Sequence, residues 1–401
     1  MALNNVESGD ESQPAGVTSE FKARGAVAGR RGKAPTALAC DFDEDTASAS
    51  PRRDDSPGIH SVSAAFPVSA GRLVEPLRPG DPHYPLVAII GPTASGKSSL
   101  AVRLALAFGG EVINFDSVQV YRGFDIGSGK LTIAERQGVA HHLLDVAEPQ
   151  SRFTAGDFRR EAFKVLGDLR GRGKLPVLVG GTGLYLRALL VGLFEGPARS
   201  GELRGRLSKM AERHGRDFLH RMLARKDAET AARIHPRDAQ KVIRALEVCL
   251  LERRPFSELL GQGRQGIEGF RIYRIGLSPP RAQLLERINA RTEQMFGRGI
   301  TEEVRRALGS GGRHQIPLEA LGYRQARAYI QGSMTCEEAI RETQAQTRQY
   351  AKRQMTWFRR EPGVRWFEGF GDEAALEQQV FDWFSQALAS HMLELRPAFS
   401  F

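Results

Sequence analysis

Cysteine is scarce. The 401 residues hold three, Cys40, Cys249 and Cys336, and none belongs to a CxxC pair. Neither a disulfide framework nor a structural zinc site is expected, and a reducing compartment suits the chain. Cys249 lies in an apolar helical run and reads as core. Long apolar runs are missing too. Strand-like runs such as Leu86 to Ile90 fall far short of the ~18 residues that a membrane-spanning helix needs. The first twelve residues carry Glu7, Asp10 and Glu11 and no apolar stretch, so no secretory signal is expected. These absences argue against a membrane protein and a secreted disulfide scaffold. A cytoplasmic location is the expectation.

Large apolar residues are also thin over residues 1–80, where Leu, Ile, Val and Phe total 14 among many Ser, Gly, Pro, Ala and Asp. Such a segment buries too little surface to offset its ordering entropy, so 1–82 reads as a disordered extension. Residues 1–80 hold 9 Lys/Arg and 11 Asp/Glu, so the chain's net +10 resides in the remainder, which carries +12. A basic folded region suits a polyanionic partner, nucleic acid first. A solubilising surface explains the same charge.

From Tyr84 the pattern changes. Leu86–Ile90, bounded by Pro85 and Gly91, suits a buried parallel strand. Ser98–Phe108 has helical spacing, Glu111–Phe115 reads as a strand, Arg159–Arg170 as a helix, and Leu175–Val179 as another buried strand. This alternation predicts an α/β fold: a parallel sheet with helices on both faces. Residues 199–260 are rich in Arg, Ala, Leu and Glu and read as helical. Arg271–Leu277 returns to strand, which makes the helical stretch an insertion. Arg281–Leu308 is helical in period, and a last long helix spans Cys336 to Arg359.

Gly91-Pro92-Thr93-Ala94-Ser95-Gly96-Lys97-Ser98 fits GxxxxGK[ST] and stands between a predicted strand and a predicted helix. Backbone N–H groups of such a loop and the helix N-terminus hold phosphate oxygens, Lys97 adds a point charge, and Ser98 is placed to ligate Mg²⁺. The motif implies a bound diphosphate or triphosphate. It does not say that a P–O–P bond is the one broken.

Asp116-Ser117-Val118-Gln119 follows the second strand. Ligands in open α/β sheets bind beyond the carboxyl ends of strands, so Asp116 points toward the phosphate site. From position alone it is a proton acceptor, a holder of Mg²⁺ through water, or a turn aspartate. Thr182, in Gly180-Gly181-Thr182-Gly183, sits at the same edge. It suits a hydrogen bond to a phosphate oxygen or an N-cap. His141 and His142 lack further ligands nearby and read as structural.

Taken together, GPTASGKS after a strand, DSVQVY and LVGGTGLYLRAL resemble a tRNA dimethylallyltransferase. DAQKVIRALEV over 238–248, ALGYRQ over 320–325 and the basic TRQYAKRQMTWFR over 347–359 extend the resemblance to about residues 84–370. The resemblance implies a P-loop NTPase-like fold. It implies transfer of a dimethylallyl group from dimethylallyl diphosphate to N6 of the adenosine next to the tRNA anticodon on its 3′ side. The phosphate loop, Gly91, Pro92, Thr93, Ala94, Ser95, Gly96, Lys97 and Ser98, then holds a diphosphate leaving group with Mg²⁺ on Ser98. By the same resemblance Asp116 matches the general base and Thr182 a residue near the reacting centre that also touches tRNA. Asp116, Ser117, Val118 and Gln119, then Arg204, and then Gln240, Lys241, Val242, Ile243 and Arg244 match tRNA contacts. Partners are tRNA, through its anticodon stem-loop, and dimethylallyl diphosphate; no membrane is expected, and a monomer is.

The chain departs from the family pattern in small ways. It has Asp125-Ile126-Gly127-Ser128-Gly129-Lys130-Leu131 where DIGTAKP is frequent, and Ala140 before His141-His142 where proline is frequent. The resulting partition is 1–82 extension, 83–198 first part of the P-loop core, 199–268 inserted helical tRNA-binding domain, 269–370 core completion with a basic helix, and 371–401 C-terminal tail. On that helix Arg341, Arg348, Lys352 and Arg359 fall near one face, suited to RNA phosphates. Ala351, Met355 and Phe358 fall on another; Trp357 suits stacking on a base or a place in the core, and reads as core. A P-loop small-molecule kinase is the alternative, since the loop alone fits it equally well.

Overall fold

A computed structural model describes residues 77–194, 196–197, 199–261, 265–311 and 315–394. Its first half alternates as expected: β1 (Tyr84–Ile90), α1 (Lys97–Ala107), β2 (Gly110–Asn114), β3 (His141–His142), α2 (Ala155–Gly171), β4 (Leu175–Val179) and α3 (Gly183–Leu190). Five helices follow: α4 (Gly201–His214), α5 (Arg216–Lys226), α6 (Ala228–Arg233), α7 (Ala239–Glu252) and α8 (Phe256–Gly261). The chain then returns through β5 (Phe270–Leu277), α9 (Arg281–Gly297), α10 (Ile300–Gly311), α11 (Tyr323–Ile330), α12 (Cys336–Phe358), β6 (Val364–Phe367) and α13 (Ala374–Glu394).

The six strands form one parallel sheet in the order β3-β2-β4-β1-β5-β6. Successive side chains of a strand point to opposite faces, and β1 uses both. Leu86, Ala88 and Ile90 enter a core with residues of α2, α3 and α10 to α12, while Val87 and Ile89 enter a second core with residues of α1 and α13. A strand buried on both faces needs a continuous apolar run, which Tyr84–Ile90 supplies. Helix α2 starts at a capping box in which Thr154 Oγ1 accepts from Asp157 N and Asp157 answers the Thr154 amide.

Helices α4 to α8 carry a separate apolar core in which Leu207, Leu219, Leu223, Leu246 and Cys249 are buried. Among the described residues no helix is long and apolar enough to cross a membrane.

Three expectations need correction. The helical period read over 281–308 is two helices, not one. The chain breaks at Gly299, whose φ of +96° no helix accommodates. The extension read as 1–82 lies outside the described residues up to 76, but 77–82 belong to the fold. Arg170 donates to Pro79 O at 2.9 Å and to Asp81 O at 2.6 Å, and the Asp81 carboxylate is buried against His391. The tail read as 371–401 holds α13, whose Leu376, Val380, Phe384 and Leu388 recur every fourth residue and are all buried in the second core. Residues 395–401 lie outside the described set.

Phe384 is fully buried against Phe108 and Tyr273. Phe384→Ala is expected to cost about 3–5 kcal/mol of unfolding free energy, read as a lower denaturant midpoint with an unchanged slope. A loss below ~1 kcal/mol would mean that α13 contributes little to the core.

Candidate active site

Strand β1 lies between β4 and β5, the place in an open parallel sheet where a crevice forms beyond the strand ends. The loop Gly91–Ser98 leaves β1 there and runs into α1. Gly96 caps α1 in the left-handed region at φ +78°, and a Cβ on it would stand 2.7 Å from the Asp372 backbone nitrogen. The segment after β6 therefore braces the loop from outside, and Gly371 N donates to Ser95 O at 2.9 Å.

Residues Thr93 to Ser98 line a cavity of about 530 Å³ together with Asp116, Gln119, Arg287, Arg291 and Arg298. Gly91 and Pro92 are buried, and Lys97 Nζ donates to the Pro92 carbonyl. Lys97 is 9% exposed and has no carboxylate partner among the described residues. Burial pushes its pKa down to about 7; Arg291 adds to the shift and Asp116 opposes it. Arg291 comes from α9 on the facing wall, its Nη1 donating to Thr93 Oγ1 at 3.4 Å, and burial lowers its pKa too. Two cations without a carboxylate partner among the described residues and the backbone of the phosphate loop, gathered around one cavity, make an anion site. The hydroxyl of Ser98 lies on the same wall and makes no hydrogen bond to a described residue.

Asp116 stands at the end of β2, where its amide donates to Asn114 Oδ1 at 3.0 Å. Its Oδ1 accepts from Val118 N at 2.9 Å, so the turn role is realised at that oxygen. Its Oδ2 takes no hydrogen bond from a described residue. Thr182 does not cap α3. Its hydroxyl accepts from Ser117 N at 2.9 Å and donates to Ser117 Oγ at 3.1 Å, so it stands behind Ser117 and off the cavity wall. A second cavity of about 440 Å³ shares Thr93, Asp116, Arg291 and Tyr350 with the first and reaches Ser117, Val118, Arg324 and Arg353.

The other predicted contacts gather on the helical insertion. Glu247, fully buried, accepts from Arg204 at 3.2 Å, Arg244 at 2.7 Å and Ser200 N at 2.8 Å; Arg204 also donates to Gln240 at 3.0 Å. Lys241 is exposed beside Asp238. Val242 and Ile243 are buried in the insertion's core, which removes their side chains from any contact surface. They fall on the buried apolar stripe of α7.

His142 bonds Glu111 at 2.7 Å and His141 bonds the Val139 carbonyl at 2.8 Å, both structural partners. On α12, Arg341, Lys352 and Arg359 are exposed, while Arg348 donates to Asn289 at 2.7 Å. Trp357 is not core: it is 37% exposed with the Arg187 guanidinium 4.9 Å over its ring.

Reading the sequence missed Arg287 and Arg291 on α9, Arg298 just past its end, and Tyr350 and Gln354 on α12. The arginines recur at helical spacing on one face, a signal that was available. Gln354 carried none, because a glutamine in a basic helix reads as solvated.

A parallel sheet in this order with a phosphate-loop motif at the end of its central strand defines a P-loop-like α/β protein. Comparison narrows the class. The family model described as IPP transferase matches residues 119–361. The tRNA dimethylallyltransferase of Koribacter versatilis is 55% identical over 73% of this chain and 95% of its own, and that of Solibacter usitatus is 50% identical over 74% and 97%. The crystal structure of the tRNA isopentenylpyrophosphate transferase of Bacillus halodurans is 37% identical with a TM-score of 0.58, covering 77% of this chain and 99% of that one. The chain belongs to the IPP transferase family, the tRNA dimethylallyltransferases.

Lys97 predicts a pH signature. In the unfolded chain it holds its proton up to about 10.5, in the folded one only to about 7. Between these values the unfolded state binds more protons, so Lys97 makes stability rise with pH, and its destabilising effect is greatest below 7. An anion bound against Lys97 favours the charged form. Inorganic diphosphate binding at pH 8 is therefore expected to take up a proton, seen calorimetrically as a heat that varies with buffer ionisation enthalpy. The component should vanish in Lys97→Met; its persistence would assign it elsewhere.

Proposed function

We propose that this chain transfers the dimethylallyl group of dimethylallyl diphosphate to N6 of the adenosine at position 37 of tRNA, next to the anticodon on its 3′ side, and releases diphosphate. The observation that carries the reading is that the phosphate loop and the half-satisfied carboxylate of Asp116 share one cavity in a chain of this family. In the reaction N6 attacks C1 of the dimethylallyl group, the C1–O bond breaks, and the N6 proton passes to Asp116. Adenine N6 is a poor nucleophile, so positioning supplies much of the rate. Charge develops on the departing diphosphate, where the loop amides, Lys97 and Arg291 stabilise it.

Mg²⁺ suits the donors present. Ser98 offers a free hydroxyl beside the phosphate loop, and no cluster of three or more His, Cys, Asp or Glu among the described residues holds a metal by itself. Mg²⁺ characteristically keeps waters and substrate phosphate oxygens as most of its ligands, so Ser98 with the diphosphate fits it. Its chemistry there is charge neutralisation of the leaving group.

Thr182 acts through Ser117, holding the Asp116–Gln119 turn against the acceptor. Arg204, Gln240 and Arg244 present a ready-made face to tRNA, fixed by Glu247, with Lys241 beside them. The adenosine leaves the anticodon-loop stack to reach Asp116, at a cost of a few kcal/mol that is smallest in a single-stranded loop.

The test is transfer of label from radiolabelled dimethylallyl diphosphate to unmodified tRNA, without ATP, beside an arm supplied with ATP. Label in the tRNA is the expected result. No label with ATP consumed would move the chain to the kinase reading. Asp116→Asn is expected to slow transfer by roughly 10²–10⁴-fold while tRNA affinity holds; equal turnover would remove Asp116 as the base. Arg204→Ala should weaken tRNA binding and flatten its salt dependence, by filter binding across a salt series, with the slope falling by about one contact's worth. An unchanged slope would take Arg204 off the RNA.

A further inference from the structure

Helix α12 lines the cleft, and among its inward side chains Gln354 reaches the phosphate loop. Gln354 is 5% exposed and both ends of its amide are engaged. Oε1 accepts from Thr93 N at 2.8 Å, and Nε2 donates to Gly181 O at 3.0 Å. The orientation of the amide is forced, because the loop N–H can only donate and the Gly181 carbonyl can only accept. One planar group thus spans the two loops that face each other across the sheet ends: the phosphate loop after β1 and the Gly180–Thr182 turn after β4. Asp116, on the neighbouring strand, is tied to the second of these through Ser117 and Thr182.

We infer that Gln354 is a positioning residue for transfer: it sets the separation between the phosphate loop, which holds the donor, and the turn that carries Asp116's neighbourhood. This rests on the function proposed above. Thr93 lines both cavities, so a shift of its backbone moves the donor relative to the acceptor. Tyr350, one turn earlier on α12, also lines both cavities and places its hydroxyl 3.5 Å from the same Gly181 carbonyl, too long to replace the amide. The helix whose Lys352 and Arg353 are exposed is therefore hydrogen-bonded to the donor loop through Gln354.

Two variants test this. Gln354→Met keeps the volume and removes both hydrogen bonds. Gln354→Glu keeps the acceptor for Thr93 N but sets a carboxylate against the Gly181 carbonyl; on protonation it regains a donor there. At saturating tRNA and donor, Gln354→Met is expected to lose roughly 10–100-fold in kcat, the scale of an ångström's misplacement, with tRNA Kd within about threefold of wild type. The Gln354→Glu rate, divided by the wild-type rate at the same pH, is expected to recover as pH falls from 8 to 5, with tRNA affinity measured separately at each pH. A merely structural role would lower the melting temperature of both variants without that pH-dependent rescue.

A kcat for Gln354→Met within threefold of wild type overturns the proposal. So does a loss confined to tRNA Kd, which would make Gln354 an RNA contact. If Gln354→Met does not fold, the pH rescue of Gln354→Glu decides, and a flat ratio overturns the proposal. If wild type transfers no prenyl group, the function fails separately from the clamp. Inorganic diphosphate affinity then decides: a weakened affinity in Gln354→Met supports the clamp, and an unchanged one overturns it.

Discussion

The molecule is organised around a buried lysine that has no carboxylate partner. An ammonium group at 9% exposure, with Arg291 beside it and no acid in contact to outweigh the burial, is a cost that folding alone does not recover. It persists because the surrounding backbone is over-determined. Strand β1 is buried on both faces, the loop after it is braced by Gly371, and α1 begins at Lys97 itself. The C-terminal helix matters here as much as the loop. Packing of α13 on the α1 face and of residues 371–372 on the loop holds the phosphate amides in place before any ligand arrives.

How the carboxylates are satisfied separates framework from chemistry. Glu303 is 3% exposed and accepts from the Asp125, Ile126 and Gly127 amides and from Tyr323 Oη at 2.9 Å. Glu247 accepts from two arginines and an amide. Both are saturated, and both fix a segment: the Asp125–Lys130 turn in one case, the α4–α7 face in the other. Asp116 has one oxygen in a turn and one unengaged on the cavity side. A carboxylate with one oxygen unengaged on the cavity side, unlike the two saturated ones, is left free to meet a group that enters the cleft.

Much of this was legible from the chain, for physical reasons that differ by element. Buried parallel strands announce themselves as short apolar runs closed by glycine, so β1, β4 and the phosphate loop were readable to within a residue or two. Asp116 and Thr182 were readable as residues at the carboxyl edge of the sheet, but which of their atoms meets which partner was not. The α9 and α10 break was hidden because Gly299 interrupts a helical period without altering it. Helix α13 was hidden because its stripe lies beyond the last motif. Gln354 and Glu247 were illegible for a shared reason: their meaning is a set of contacts from distant segments, and nothing local marks a buried polar side chain from a solvated one. Val242 and Ile243 went the other way, carried by resemblance although their own spacing spoke for core.

The positive charge can also be resolved by position. Several of the arginines that make the folded part basic are already committed: Arg172 to Glu111 and Asp168, Arg204 and Arg244 to Glu247, Arg287 to Asp372. Pairs of this kind add little to a distant field, because each brings its own counter-charge. Lys352, Arg353, Arg359 and Arg360, by contrast, are exposed and form no ion pair among the described residues. Lys352 and Arg353 lie near the end of α12 and Arg359 and Arg360 just past it, and Arg353 lines the cavity that reaches Asp116. They are not alone: on the helical insertion Arg206, Lys209, Arg213, Arg221, Arg225 and Lys226 are likewise exposed and form no ion pair among the described residues. Uncompensated charge therefore lies both on the insertion and beside the cleft, and on α12 it stands next to Gln354, the side chain that holds the phosphate loop.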